Sequence, residues 1–397
     1  MACSCRYRKK LRQNSPSLEP KKTIYFDYNA TTPVDPSVLG EIDRAHRIFW
    51  ANPSSAHKYG QAVFDEIESR RRLLADYTGT KPSNLYFCGS ASEALATLIN
   101  HLYYNNYQII TTTVEHSAII KNCLFLQKHG YGGIHILPVN QNGEIEPEIL
   151  TGVLDNSSYK KKALIYSPVN HETGALQNIK LIYSLAKNYN CSVILDAVQT
   201  AHRLINNQWR DYCDGGVLTA HKLYGPKGIA ALFLKNLHTI RKLRNGGSQE
   251  GHLFPGTQNV PGIFGFAKAI ELLKQNLNEE TIMLKHLKEE FIQMLLNMNY
   301  NFVIETPVNS VSGILNISLP RIDNIEELIF NLDLNGIYLS RFASCNGSLS
   351  GPSQILLNMG RSHDRASKSL RISMGRFTKR ADILTFCSTV KHLLKIT

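Results

Sequence analysis

The chain has no CxxC pair, although it contains eight cysteines, at positions 3, 5, 88, 123, 191, 213, 345 and 387. Zinc ribbons and thioredoxin-type redox motifs need two thiols on one turn, so the spacing argues against both. No apolar run approaches the roughly 18 residues of a membrane-spanning helix, which argues against membrane insertion. Internal repeats are absent, and no segment beyond the N-terminal tail is of low complexity. What is there is an ordinary globular composition: 397 residues, 43% hydrophobic and 19% charged. That length can bury a large core, in two domains or one large α/β unit.

Charge is unevenly spread. Of the formal excess of +12, half falls in residues 1–22, where Arg6, Arg8, Lys9, Lys10, Arg12, Lys21 and Lys22 face Glu19 alone. The favoured reading is a basic, disordered, solvated tail. An organelle presequence and weak, non-specific attraction to nucleic acid are the alternatives. The expected location is the cytoplasm, or an organelle matrix if residues 1–22 belong to a presequence. Cys191 opens "CSVIL" and Cys88 follows "LYF", as buried core thiols do, and the scatter suits a reducing compartment. The CxC of Cys3 and Cys5 is taken as incidental. Cys345 differs: "SRFASCNGSLSGPSQ" (340–354) has little to bury, which predicts a thiol on a flexible surface loop.

Strand-like and helical stretches alternate along most of the chain. "NLYF" (84–87) leads to "SASEALATLINHL" (90–102), then "YQIITTT" (107–113) and "SAIIKNCLFLQKHG" (117–130). The pattern continues through "KALIYSPV" (162–169), "CSVILDA" (191–197), "DGGVLTA" (214–220) and "IAALFLK" (229–235). Short apolar strands between amphipathic helices predict an α/β fold with a mostly parallel sheet covered on both faces. Ligands of such sheets bind at the carboxyl ends of strands. A long helical stretch near 265–299 then leads to a smaller α+β region containing "SGILNISL" (312–319), a helix near 324–335, and "LRISMG" (370–375).

Polar residues collect at the predicted strand ends. Lys222 follows a strand directly and precedes a Gly/Pro turn in "LTAHKLYGPKG" (218–228). Asp196 ends the apolar run "VILD", where an unpaired carboxylate is costly. A strand-end lysine with a strand-end aspartate suits pyridoxal phosphate: the amine forms the Schiff base and the carboxylate keeps the pyridine nitrogen protonated. In "FCGSASEAL" (87–95), Ser90 and Glu93 fit a capping box, predicting a helix start near 91 whose N–H groups and Ser92 hydroxyl can seat a phosphate. His116, just past a strand end in "TTTVEHSAI" (111–119), is either an imidazole stacked on a flat ring or a buried structural histidine.

"YFDYNATTPVDPSV" (25–38), "NPSSAHKYGQ" (52–61), "VEHSAI", "VNHETGALQ" (169–177), "DAVQTAH" (196–202), "AHKLYGPKG" (220–228), "GTQNVPGIFGFAKA" (256–269), "SCNGSLSGPS" and "RISMGRFT" (371–378) occur in that order. Together they resemble the pyridoxal-phosphate-dependent cysteine desulfurases of the nitrogenase-accessory and iron–sulfur-assembly type, from about residue 23 to the C-terminus. The resemblance implies a fold-type I transferase with a large domain over 36–275 built on a seven-stranded-type sheet. A small domain is implied from 23–35 and 276–397, carrying the Cys345 loop. It implies Lys222 as the Schiff-base lysine, Asp196 as the pyridinium partner, and His116 as the stacking and proton-transfer imidazole. Gln199 and His171 would lie at the ring hydroxyl, and Ala91, Ser92, Thr219 and His221 at the phosphate. Thr257 would reach the phosphate of a neighbouring subunit in a homodimer. Arg371 would clamp the carboxylate of L-cysteine, with Asn52 and Asn170 close by. Cys345 would take sulfur from L-cysteine as a persulfide, release L-alanine and pass the sulfur to an acceptor protein in iron–sulfur assembly, tRNA thiolation or DNA sulfur modification.

The chain departs from the family pattern in three places. "VNNETG" reads "VNHETG", so His171 stands for an asparagine. "QEGHLFPGT" (249–257) lacks the usual two arginines, with consequences expected for loop order or the dimer contact. The chain ends at Thr397, soon after the last helix, so the tail that housekeeping members use on a scaffold protein is expected to be missing. A selenocysteine lyase or another class V enzyme is the second reading. A non-catalytic scaffold is the third, and intact Lys222, Asp196, His116, Cys345 and Arg371 argue against it.

Overall fold

In the computed structural model, residues 23–396 are described apart from 236–239 and 343–350. The basic tail and Cys345 therefore lie outside the described residues. The first half runs β1 (Ile24–Tyr25), α1 (Pro36–Ile48), α2 (Lys58–Thr78), β2 (Leu85–Cys88), α3 (Ala91–Tyr104), β3 (Tyr107–Thr112), α4 (Ser117–Lys128) and β4 (Ile134–Leu137). It continues with α5 (Pro147–Asp155), β5 (Lys161–Tyr166), α6 (Ile179–Asn188), β6 (Cys191–Asp196), β7 (Gly215–Thr219) and β8 (Ala230–Leu234). These strands form one seven-stranded sheet in the order β2-β8-β7-β6-β5-β3-β4.

The sheet is parallel from β7 to β4, and β8 runs antiparallel to both β7 and β2. The sequence between β7 and β8 explains the reversal. It holds only a short turn at Ala220–Lys222 and a glycine-proline bend. A parallel return needs a crossover of a dozen residues or more. Alternate strand residues feed opposite faces: Leu164, Val193 and Leu195 enter one apolar cluster, while Ala163, Ile165 and Ile194 enter another under α3 and α4. Burial on both faces is why these strands read as continuous apolar runs.

α7 (Val260–Leu296) then crosses the molecule, capped by Asn259, whose side chain accepts from the Gly262 N–H. Its first half packs with α1 and α2, and its second half enters a separate apolar cluster with Phe26, Phe386 and Ile372. That second cluster is built by β9 (Val303–Ile304), β10 (Ile314–Ser318), α8 (Ile325–Leu334) and β11 (Ile337–Tyr338); α9 (Gln354–Asn358) and α10 (His363–Ser367) pack into a smaller cluster with Val114 and Met359, and β12 (Ser369–Ser373) and α11 (Arg380–Leu393) complete the second one. β12, β10 and β9 form an antiparallel sheet, and β1 pairs in parallel with β11. The N-terminal segment thus returns to the last third of the chain. It brings Asp27 and Asn29 beside β12.

Candidate active site

The carboxyl end of the parallel sheet opens into a cavity of about 480 Å³. Ala91, Ser92, His116, His171, Asp196 and Gln199 line it, together with Thr219, His221, Lys222 and Arg371. Residues spread over 280 positions of sequence meet there because parallel strands deliver all their loops to one edge.

β6 and β7 are paired neighbours, with Asp196 opposite Val217, so the two strand ends lie side by side. Asp196 is buried and accepts one hydrogen bond, from the Val198 N–H at 3.1 Å. Burial lifts its carboxyl to about 6, against the pull of the Val198 N–H and of Lys222. Lys222 ends the short turn after β7, and its ammonium donates to the carbonyls of Asn29 and Ala30. Two residues later Tyr224 has a φ of 61°, the left-handed region that a tyrosine rarely enters. Its N–H donates to Thr32 Oγ1 at 2.8 Å, and its hydroxyl accepts from the Arg376 N–H at 2.6 Å. These bonds fix the bend that aims Lys222.

Ser90 caps α3 as the sequence predicts, its Oγ accepting from the Glu93 N–H at 3.2 Å. The Glu93 carboxylate reaches back to the Gly89 N–H at 2.9 Å, one residue beyond the usual capping-box partner. Ala91 and Ser92 therefore stand in the first turn, with helix N–H groups facing the cavity end where Thr219 and His221 also lie. His221 faces Thr31, with Nδ1 and Oγ1 3.2 Å apart, and burial lowers its imidazole to about 4 with Lys222 and Lys227 assisting.

His116 caps α4, and its Nδ1 accepts the Ala118 N–H at 3.1 Å. Burial, then Lys222 and Arg371, lower it to about 4. Its ring meets that of His171 edge-on, with centroids 5.2 Å apart and planes at 76°. Burial and the same positive neighbours hold His171 well below the ordinary imidazole range. Gln199 donates to the Asn29 carbonyl at 3.2 Å, while its Oε1 is buried without a partner among the described residues.

Arg371, on β12, is 2% exposed. It donates to Asp27 Oδ1 at 2.8 Å and to the His171 carbonyl at 3.2 Å, and its Nε has no partner among the described residues. Asp27 and Asn29 were quoted in a motif but given no role by sequence reasoning. Asn29 ties the site together: its amide donates to the His171 carbonyl, its Oδ1 accepts from Arg203 at 2.7 Å, and its carbonyl accepts from Lys222 and Gln199. Glu172 was also missed. It is buried, accepts from the Ser353 hydroxyl, and is lifted by burial to about 7. The only sequence signal for these residues was their place inside the quoted motifs.

Three predicted site residues lie elsewhere. Asn170 does not line the cavity. Its amide donates to the Val114 carbonyl at 3.0 Å and its Oδ1 accepts from Glu172, Thr173 and the Thr173 hydroxyl, so the side chain is consumed in building the turn that presents His171. Asn52 is exposed, its Oδ1 turned to the Ser54 N–H at 2.9 Å. Thr257 is exposed and is not among the residues lining its own chain's cavity.

The class-V aminotransferase family model matches residues 24–386. The chain is 31% identical over 370 residues to a cysteine desulfurase IscS from Dictyoglomus turgidum, covering 91% of this chain and 92% of that protein. A NifS-like protein from Rickettsia africae superposes with a TM-score of 0.84 at 28% identity, over 94% of this chain and all of that one. A structure of SspA in complex with cysteine gives a TM-score of 0.76 at 26% identity, over 90% and 100% of the two chains. The chain belongs to the class-V aminotransferase family, among its cysteine desulfurases.

Proposed function

We propose that this protein takes up pyridoxal 5′-phosphate in the strand-end cavity and removes sulfur from L-cysteine, leaving a persulfide on Cys345 and releasing L-alanine. One observation carries the reading: Lys222, Asp196, His116, Gln199 and Arg371 converge on a single cavity of about 480 Å³. The residues fit the group. A buried carboxylate with one hydrogen bond, a buried Gln199 Oε1 with none, and the first turn of α3 are what a pyridinium, a ring hydroxyl and a phosphate require.

When bound, the cofactor supplies an electron sink that labilises the substrate's sulfur. Lys222 would be its attachment point, Asp196 would hold the ring-nitrogen proton, and His116 would present its Nε2–H to the group. Arg371 binds the substrate carboxylate through its unpartnered edge. Cys345 then forms a sulfur–sulfur bond to the substrate's sulfur as the carbon–sulfur bond breaks. The thiol proton balances the new methyl group of alanine. Five of the eight cysteines are buried and free, and burial raises the pKa of each, to about 12 for Cys123, Cys191, Cys213 and Cys387. Such thiols are inert, which leaves Cys345 as the thiol within a family motif. The supporting arrangement for a homodimer is Thr257, exposed and away from its own chain's cavity, serving the phosphate of the neighbouring copy. The sulfur acceptor is a partner protein that meets the persulfide.

Cys345→Ser tests the reading. The variant should retain pyridoxal phosphate, read from its visible absorbance, and lose alanine release from L-cysteine. Intact-mass analysis of the wild type should place the persulfide on the Cys345 peptide. Full turnover by the serine variant, or a persulfide on another cysteine, would overturn the mechanism.

A further inference from the structure

The cavity holds two imidazoles in unequal circumstances. His116 Nδ1 accepts the Ala118 N–H at 3.1 Å. A neutral ring so engaged carries its hydrogen on Nε2, and it faces the cavity as a donor. No hydrogen bond reaches either ring nitrogen of His171 among the described residues. The His171 backbone carbonyl, in contrast, is fixed, accepting from Arg371 at 3.2 Å and from Asn29 at 3.0 Å. The ring lines the same cavity as Arg371 and feels the charge of its guanidinium.

An α-amino acid enters as an ammonium, and its nitrogen must lose a proton before it can react as a nucleophile. Around that nitrogen, Lys222 donates to two carbonyls, His116 presents N–H, and Arg371 is a cation. Asp196 sits at the end of β6, held by the Val198 N–H, and His221 is turned to Thr31. We infer that His171 is a further catalytic residue, which accepts the proton of the substrate's α-ammonium in a pocket where His116 serves as a donor. The inference rests on the desulfurase reading. The step balances as a proton transfer: an N–H bond of the ammonium breaks, its electron pair stays on nitrogen, and the proton bonds to a ring nitrogen of His171. Nothing is oxidised or reduced.

Electrostatics give the step an order. His171 is surrounded by His116 before α4, Arg371 on β12, Lys222 after β7, and Glu172 on its own turn. Burial and the positive members keep the ring neutral before substrate arrives. A carboxylate on Arg371 cancels one positive charge and strengthens His171 as a base. Proton acceptance is thereby tied to the arrival of an amino acid.

The test uses His171→Asn and His171→Gln in the cofactor-loaded protein. Both should lower kcat/KM for L-cysteine about a hundredfold at neutral pH, the usual scale of general-base catalysis. The deficit should close as pH rises and water removes the ammonium proton, and added imidazole should restore part of it. A second readout needs no turnover. In cofactor-free wild type with ¹⁵N-labelled histidine, His116 should show a fixed Nε2–H tautomer. His171 should titrate, with a midpoint that rises when propionate, a carboxylate with neither amine nor thiol, is added. Wild-type kcat/KM in both variants across the pH range would overturn the inference, as would a His116 Nδ1–H tautomer or a His171 titration indifferent to propionate. Failure of the wild type to release alanine would instead overturn the desulfurase reading, and the titration would still decide the role of His171.

Discussion

Two buried arginines in this molecule are built to opposite specifications. Arg71, in α2, has every nitrogen engaged: Nε to Glu68 at 2.8 Å, one terminal nitrogen to Leu85 O and Glu250, the other to Glu250 at 2.9 Å. Glu250 in turn accepts the Phe87 N–H at 2.8 Å. This bidentate pair holds residues 250–252, all with positive φ (48°, 60° and 65°), against β2. The segment is thus anchored by a pair inside the chain. Arg371 has one bond to a carboxylate, one to a carbonyl, and a buried Nε left over. The completed guanidinium of Arg71 is a rivet, whereas Arg371 stands in the cavity wall with donor capacity to spare. A second cavity, of about 530 Å³, lies beside Arg71 and contains none of the converging chemistry.

The sharpest test of this contrast is Arg71→Ala. It strands Glu250 as a buried, unpaired charge and should cost about 3–5 kcal/mol in urea unfolding. The fraction that remains folded should bind L-cysteine as the wild type does. A loss below about 1 kcal/mol would mean that the pair is not what holds the segment. Arg371→Ala should act on the other property. Its affinity for L-cysteine should fall roughly tenfold to hundredfold, as when one charge-assisted contact is lost, with cofactor content nearly unchanged. Arg371→Lys should not rescue fully, because an ammonium cannot make two parallel bonds. Loss of cofactor in Arg371→Ala would make this arginine structural as well.

The third test uses Glu172, a buried carboxyl near Arg371 whose side chain is bonded to Ser353. Its folded pKa of about 7 lies above the ordinary value of 4.5. The folded state therefore holds the proton more tightly, and wild-type stability from this group is complete below about pH 4.5 and lost as pH rises towards 7. Glu172→Gln should be indifferent to that titration and gain on the wild type by up to about 3 kcal/mol as pH approaches 7, read from melting at each pH. Parallel pH curves would show that Glu172 titrates normally. The smallest effect should come from Asp27→Asn, which weakens the Asp27 hold on Arg371 while keeping its shape. KM should rise about threefold, on the scale of a contact worth roughly 0.5–1 kcal/mol, with kcat little changed.

Much of this site was readable along the chain, because the informative residues end strands. The predicted runs at 107–113, 191–197 and 214–220 became β3, β6 and β7, and the helix start near 91 fell at Ala91. What could not be read were pairings between distant segments. Arg371 and Asp27 are 344 positions apart, and Arg71 and Glu250 are 179 apart. No local periodicity encodes such contacts. Asn170 illustrates a related point: a motif asparagine can serve a ligand or the backbone, and only the fold shows its Oδ1 taken by the turn and its amide by Val114.

The 37 residues of α7 span about 55 Å at 1.5 Å per residue, and they are shared property. Phe264, Phe266 and Ile270 belong to the cluster beneath the large sheet, and Leu287, Phe291 and Leu295 to the cluster beside β12. Neither cluster can melt without stripping half a helix from the other, so denaturation should be a single cooperative event. A proline midway along the rod would divide that event in two, and the cavity, whose walls come from both sides, would lose its shape before either core had dissolved.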